Sequence, residues 1–194
     1  MLNRERFALD TKQAQAVERF RSGDFSGAIA AWNDVLSDLD RRAVGRLPYA
    51  LCLFNIGASY LRMNMASNAA EQFETALEIM AKDKRSPHDE RLRLRAECTY
   101  ALAQAEQMRE DFDEADFNYH DACHDFGDAN EPRRRIEALL RWGQMHAQEG
   151  DLVTGVNLLS KARKEARASI ALVDLELEAD QAVLTALERF EEAD

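Results

Sequence analysis

Two histidines one helical turn apart with a cysteine beside the second, His120, Cys123 and His124, are the residues whose types and spacing could hold a metal ion. Positions i and i+4 share one face of a helix, and imidazole and thiolate both suit zinc or a similar borderline ion. No HExxH pattern accompanies them, a further ligand would have to come from elsewhere, and Ala122 is a position that the pattern described below turns inward, which sends both imidazoles outward. They are therefore weak candidates, and a metal-dependent enzyme built on them is the least favoured reading. The chain has no GxSxG, P-loop or glycine-rich phosphate cradle. His88 and His146 stand alone, and in a sequence that is 31% charged the many carboxylates read as solvated faces. The expectation is a non-enzymatic protein with no cofactor and no bound metal.

The charge balance narrows the partners. With 25 basic and 36 acidic residues the net charge is −11, so a phosphate backbone is repelled on average and nucleic acid is not expected. Arg133, Arg134 and Arg135 form one compact basic cluster, which reads as a solvated helix start. Cys52, Cys98 and Cys123 are odd in number and form no CxxC pair, which fits reduced thiols. The opening MLNRERFALD lacks the apolar core of a signal peptide, and no apolar run approaches the ~20 residues of a membrane span. A cytoplasmic protein without membrane insertion is expected.

The elements that must position any site are helices. Ala, Leu, Glu, Arg and Gln dominate, Gly and Pro are scarce, and no alternating β-branched run of useful length occurs. A polar start at 1–8 precedes a first helix from Asp10 or Thr11 to about 22. Gly23-Asp24 breaks it, and a second helix covers 25–39. After a charged connection, Pro48 sits in a first helical turn, and Asn64 divides the next two helices because asparagine tolerates a left-handed backbone. In KDKRSPHDE, Ser86 reads as an N-cap, Pro87 as the first helical residue and Asp89 as an acid in the first turn. That helix runs to about Met108 and its partner starts near Phe112. Asn130 reads as the next cap with Pro132 in the first turn, Gly150-Asp151 repeats the first break, and a last helix covers 169–191.

These helices repeat. Ala28, Ala69, Ala115 and Gly155 are each followed four residues on by Trp32, Phe73, Tyr119 and Leu159, and three further on by Val35, Ala76, Ala122 and Ala162. Twelve residues before them lie Ala16, Gly57, Ala103 and Gly143. Such small and large residues in register are what antiparallel helix pairs need, and fixed self-similarity marks a repeat array. With Ile56, Gly57, Tyr60, Ala69, Phe73 and Ala76 as the best copy, the chain resembles a tetratricopeptide-repeat (TPR) protein. Its repeats of about 40 residues are similar to those of the LGN and rapsyn type, and CLFNIGASYL is similar to the TPR domain of p67phox. The resemblance implies an all-α, right-handed TPR superhelix in a single domain over 1–194, with pairs at about 9–47, 48–85, 86–130 and 131–168 and a capping helix at 169–191. Copy three departs from the pattern at Glu106.

The resemblance also implies a concave groove lined by the first helix of each pair. The groove residues would be Leu51, Phe54, Asn55, Ala58 and Arg62, then Tyr100 and Gln104, then Arg141 and Gln144, an apolar and amide-rich surface for a protein or peptide segment. Asn55 matches one position of the TPR carboxylate clamp, but Gln13, Val17, Glu97 and Ala101 occupy the others and supply no cation, which argues against Hsp70 or Hsp90 C-terminal tails. In the last helix Ile170, Val173, Leu177, Leu184 and Leu187 form one stripe, and Leu172, Leu175, Val183 and Phe190 a second. The second stripe is expected either to fold back on the array or to contact another copy. The leading reading is a protein-binding adaptor; the alternative is a self-assembling scaffold, a homo-oligomer joined through the last helix or the convex face.

Overall fold

Nine helices and no strand make up the described residues of the computed structural model, 2–42, 46–168 and 172–193, with side chains described over 9–39, 46–168 and 172–189. In order they are α1 (Leu2–Arg21), α2 (Phe25–Arg42), α3 (Arg46–Arg62), α4 (Ala66–Ala81), α5 (His88–Met108), α6 (Phe112–Asp128), α7 (Pro132–Glu149), α8 (Leu152–Arg167) and α9 (Val173–Ala193). The first helix begins eight residues or more before the expected Asp10 or Thr11, because nothing in the polar start breaks a helix and most of it is good helix former. Residues 169–171 of the expected last helix lie outside the described residues.

One turn recurs five times. Gly23, Asn64, Glu110, Asn130 and Gly150 all have positive φ, between 54° and 93°. At four of them the next residue's N–H reaches back five positions, Asp24 to the Arg19 carbonyl, Met65 to Tyr60, Asp111 to Glu106 and Glu131 to Phe126, at 2.9–3.0 Å. This is the Schellman closure, which satisfies carbonyls that a helix end leaves open. Asn130 is therefore the left-handed stop of α6, and Glu131, not Asn130, is the N-cap of α7. Ser86 is not a cap either. Pro87 holds the N-cap position of α5, while the Ser86 hydroxyl donates to Asp83, whose other oxygen accepts the Arg85 and Ser86 N–H groups.

The chain divides into two compact units, Met1–Phe112 and Asp113–Asp194, with the division inside the third helix pair. In the first unit successive helices from α1 to α5 pack on one another. One cluster joins Ala16, Ala28, Trp32, Val35, Ile56, Ala76 and Met80, and another joins Ala69, Phe73, Leu102 and Ala105. In the second unit α7 packs on α8, and α8 on α9. All sixteen positions of the repeat pattern are buried. Glu106, where copy three departs from the pattern, is also buried, and both its oxygens bond the Arg109 guanidinium at 2.8–3.0 Å. Burial comes first among the influences on it and raises its pKa.

The small residues are steric requirements. A Cβ on Gly57 would lie 2.6 Å from the Phe73 ring, and one on Gly155 would lie 2.9 Å from the Ala147 nitrogen and 3.0 Å from the Gly143 carbonyl oxygen. Backbone atoms cannot rotate aside, so Gly155→Ala should cost about 1–3 kcal/mol, the usual range for overpacking. The opposite sign is expected at Glu110, whose left-handed backbone (φ 63°) carries a penalty of about 1 kcal/mol that glycine removes. Thermal melts of Glu110→Gly and Gly155→Ala should move up and down, respectively, from the parent.

Candidate ligand groove

Helices α7 and α9 bound the larger of two described cavities, about 720 Å³ in volume. Its amide and hydroxyl donors and acceptors are Gln144, Gln148, Gln181 and Thr185, its charged groups Asp174, Glu178 and Arg189, and its apolar lining Ala147, Leu159, Leu177, Ala182 and Ala186. Two polar ties hold the helices side by side in parallel. Near their starts Arg133 pairs with Asp174 at 2.7 Å, and near their ends the Arg189 guanidinium donates to the Ala147 carbonyl at 3.3 Å. On the far side Arg163 and Arg167 of α8 pair with Asp180 and Glu176. From Asp174 to Arg189 the lining of α9 extends about 22 Å at 1.5 Å per residue, the reach of about seven extended residues.

Gln144 is the expected groove residue that lines this cavity, while Arg141 is exposed but outside the lining. In the first unit Leu51 is exposed and Ala58 and Gln104 are half-buried. Tyr100 is buried, and Phe54 packs its ring on Phe73 at 5.9 Å. Asn55 spends its amide N–H on the Leu51 carbonyl one turn back, and Arg62 lies over the Phe25 ring at 5.1 Å. Phe54, Asn55 and Arg62 thus have partners within their own unit, which the stripe pattern did not reveal. A second cavity of about 350 Å³, between the end of α4 and the start of α5, has an apolar base of Leu77, Met80 and Leu92 and a basic rim of Lys84, His88, Arg91 and Arg95.

The metal candidates do not converge. His120 and His124 are exposed, next to Asp121 and Asp128, whereas Cys123 is buried with its thiol toward the Arg135 carbonyl. Burial pushes the Cys123 and Cys52 thiols up to about 12 and raises Cys98 as well, so thiolate chemistry is suppressed in all three. Among the described residues no group of three or more His, Cys, Asp or Glu side chains is placed to hold a metal. The arginine cluster is engaged in ion pairs: Arg133 with Asp174 and Glu137, Arg134 with Glu137, Arg135 with Glu165.

A cluster missed in the sequence joins α6 to α7. One oxygen of Asp116 accepts from Trp142 Nε1 at 2.6 Å and from His146 Nε2 at 2.7 Å, and His146 Nδ1 lies 3.5 Å from Asp151, the N-cap of α8. The partners are 26 and 30 residues apart, so only the folded pair brings them together. The cluster ties α7 to α6 through Asp116 and to the start of α8 through Asp151.

No family model matches the sequence, and no curated protein matches it. Solved structures do match. The TPR-like repeats of a kinesin light chain from Podospora anserina superpose with a TM-score of 0.70 at 18% identity over 95% of this chain and 92% of that one. The fold is a TPR-type helical repeat. The apo form of RapI is similar over 95% of this chain and 68% of its own, with a TM-score of 0.74 at 14% identity. The Rap conjugation regulator of plasmid pLS20, solved with the Phr* peptide, gives 0.67 at 15% identity, and this chain spans about half (54%) of its length. The narrower likeness to LGN, rapsyn and p67phox is not among these TPR-type matches.

The groove tie should be visible in acid. Arg133's hydrogen bond holds Asp174 below the ordinary carboxyl value of 3.8, the Thr154 side chain and N–H do the same for Asp151, and the Ser86 hydroxyl leads for Asp83. Each is a stronger acid folded than unfolded, so the unfolded chain takes up the proton first. Their stabilisation is complete above the unfolded value and is lost as pH falls through the folded ones. Asp174→Asn should lower the melting temperature at neutral pH, and the difference from the parent should shrink as the pH falls below the ordinary carboxyl value.

Proposed function

We propose that the chain is a non-catalytic adaptor that holds an extended segment of another protein in the groove of its TPR-type array. The observation that carries this reading is the open cavity between α7 and α9, of ligand size and mixed apolar and amide lining. Gln144, Gln148 and Gln181 offer donors and acceptors to a peptide backbone, and Leu177 and the alanines offer contact to its side chains. The peptide recorded with one protein of the same fold supports the same use here. Leu51, Ala58 and Gln104 are proposed as the corresponding surface of the first unit. Asn55, Arg62 and Tyr100 would add to it only by leaving their present partners.

Nucleic acid is disfavoured by the net charge of −11 and by the ion pairing of Arg133, Arg134 and Arg135. No described helix is long and apolar enough to cross a membrane, and a cytoplasmic location is part of the proposal. Enzymatic chemistry finds no support in the outward histidines or the buried thiols.

The test selects extended peptides of about seven residues from a random library on the parent protein, then titrates the selected peptides against variants. Ala182→Trp fills the groove and should weaken them by about tenfold or more, about 1.4 kcal/mol, while Phe117→Ser, on an exposed side chain of α6, should leave them unchanged. Peptides that bind Ala182→Trp as well as the parent would move the site elsewhere.

A further inference from the structure

The last helix has an apolar stripe that meets the groove lining only at Leu177 and otherwise runs outside it. Val173, Leu177, Leu184 and Leu187 are 56, 71, 55 and 44% exposed. Their spacings of four, seven and three residues put them on one stripe of a 3.6-residue helix. The stripe is distinct from the face that holds α9 in place, where Leu172, Leu175, Ala179, Val183 and Ala186 are buried. Of the two courses expected for the second stripe, folding back or contacting another copy, the burial of these residues is the first. The described members of the supposed oligomer contact, Leu172, Leu175 and Val183, fold back within their own unit, and the side chain of Phe190 lies outside the described residues.

We propose that this exposed stripe docks an amphipathic helix from another protein, one whose polar flanks are basic. The occupant is a helix because the stripe has the length and spacing of a helix seam. It runs about 21 Å at 1.5 Å per residue, and apolar residues three, four and seven apart form ridges that accept the ridges of a second helix. Within the unit α8 already packs in this way on two neighbours, α7 and α9. Charge selects which helix docks. The sequence of α9 contains seven acidic residues and one arginine. Asp174, Glu176 and Asp180 are answered by Arg133, Arg167 and Arg163, and Glu178 lines the groove, whereas Glu188, one turn from Leu184, is exposed and makes no ion pair among the described residues. A second copy would place the same acids against each other, which disfavours self-pairing. Lysines or arginines beside an apolar seam complement them.

The test uses three synthetic peptides. One carries leucines at the stripe spacing with lysines at the other positions, one replaces those lysines by glutamates, and one scrambles the lysine peptide. Titrated by fluorescence anisotropy, the lysine peptide should saturate one site and bind about tenfold or more tightly than either control, with the advantage over the glutamate peptide shrinking as salt is added. Leu184→Asp with Leu187→Asp should abolish its binding, and the uncharged pair Leu184→Gln with Leu187→Gln should weaken it, with circular-dichroism melts unchanged because both positions are exposed. Ala182→Trp, in the groove, should leave it intact, which separates this site from the peptide groove. Equal binding of the scrambled peptide would reduce the effect to net charge and overturn the proposal. So would equal binding of the glutamate peptide, or concentration-dependent dimers in sedimentation that Leu184→Asp dissolves, which would make a second copy the occupant.

Discussion

Two helices can lie with their backbones nearly touching only where neither carries a side chain between them, and the crossing of α7 and α8 is built on that condition. Gly143 and Gly155 face each other so closely that a Cβ on either would meet a carbonyl oxygen at 3.0–3.1 Å, and Leu159 fills the space one turn on. In the first unit the same position is closed differently, with Gly57 against the flat of the Phe73 ring. Within each unit the tight crossing fixes how far apart the helix ends are, and that distance suits the short left-handed turn found at Gly23, Asn64 and Gly150. Steric closeness at one point thus sets the loop, and the loop sets the direction in which the next helix leaves.

A helix pair joined this way cannot bury all of its apolar surface alone, so it needs a neighbour on each side. In the second unit α9 supplies one, with Leu175, Ala179 and Val183 buried. The groove is a consequence of that packing. Because α9 leans mainly on α8 and touches α7 less, the two parallel helices are left apart along their outer edges, and the ion pair at one end and the Arg189 hydrogen bond at the other hold the gap. Most of the cations of this acidic unit serve such ties, so the charge left over for a partner is negative.

How much of this could be read from the sequence depended on whether the determining contact was local. The repeat anchors were legible because a small residue followed four positions later by a large one is a pattern within a single helix, and Gly23, Asn64 and Gly150 were legible because their residue types tolerate positive φ. Glu110 was not, since glutamate carries no sign of the left-handed backbone it adopts. Ser86 looked like a cap, but Asp83, three residues earlier, competes for its hydroxyl. The Asp116, Trp142 and His146 cluster spans 26 to 30 residues and had no local signature. In α9 both stripes were visible, but periodicity gives the angle between faces without saying which one meets α8.

The same limit separates architecture from ligand choice. The spacing that builds a helix pair is compatible with any polar residue at the outward positions, and the two cavities show how far those can diverge. Between α7 and α9 the rim carries three glutamines, two carboxylates and one arginine that donates to a carbonyl. Between α4 and α5 the rim is lysine, histidine and two arginines over an apolar base, with Asp83 occupied by its own loop. Asp174 and Arg189 are committed to holding α7 and α9, but the glutamines of that rim and the basic rim of the other cavity take no part in the small-residue crossings. Under the proposed reading, partner selection resides in side chains that the fold leaves free to vary, and the acid-rich α9, with seven acidic residues and one arginine, carries the strongest such bias.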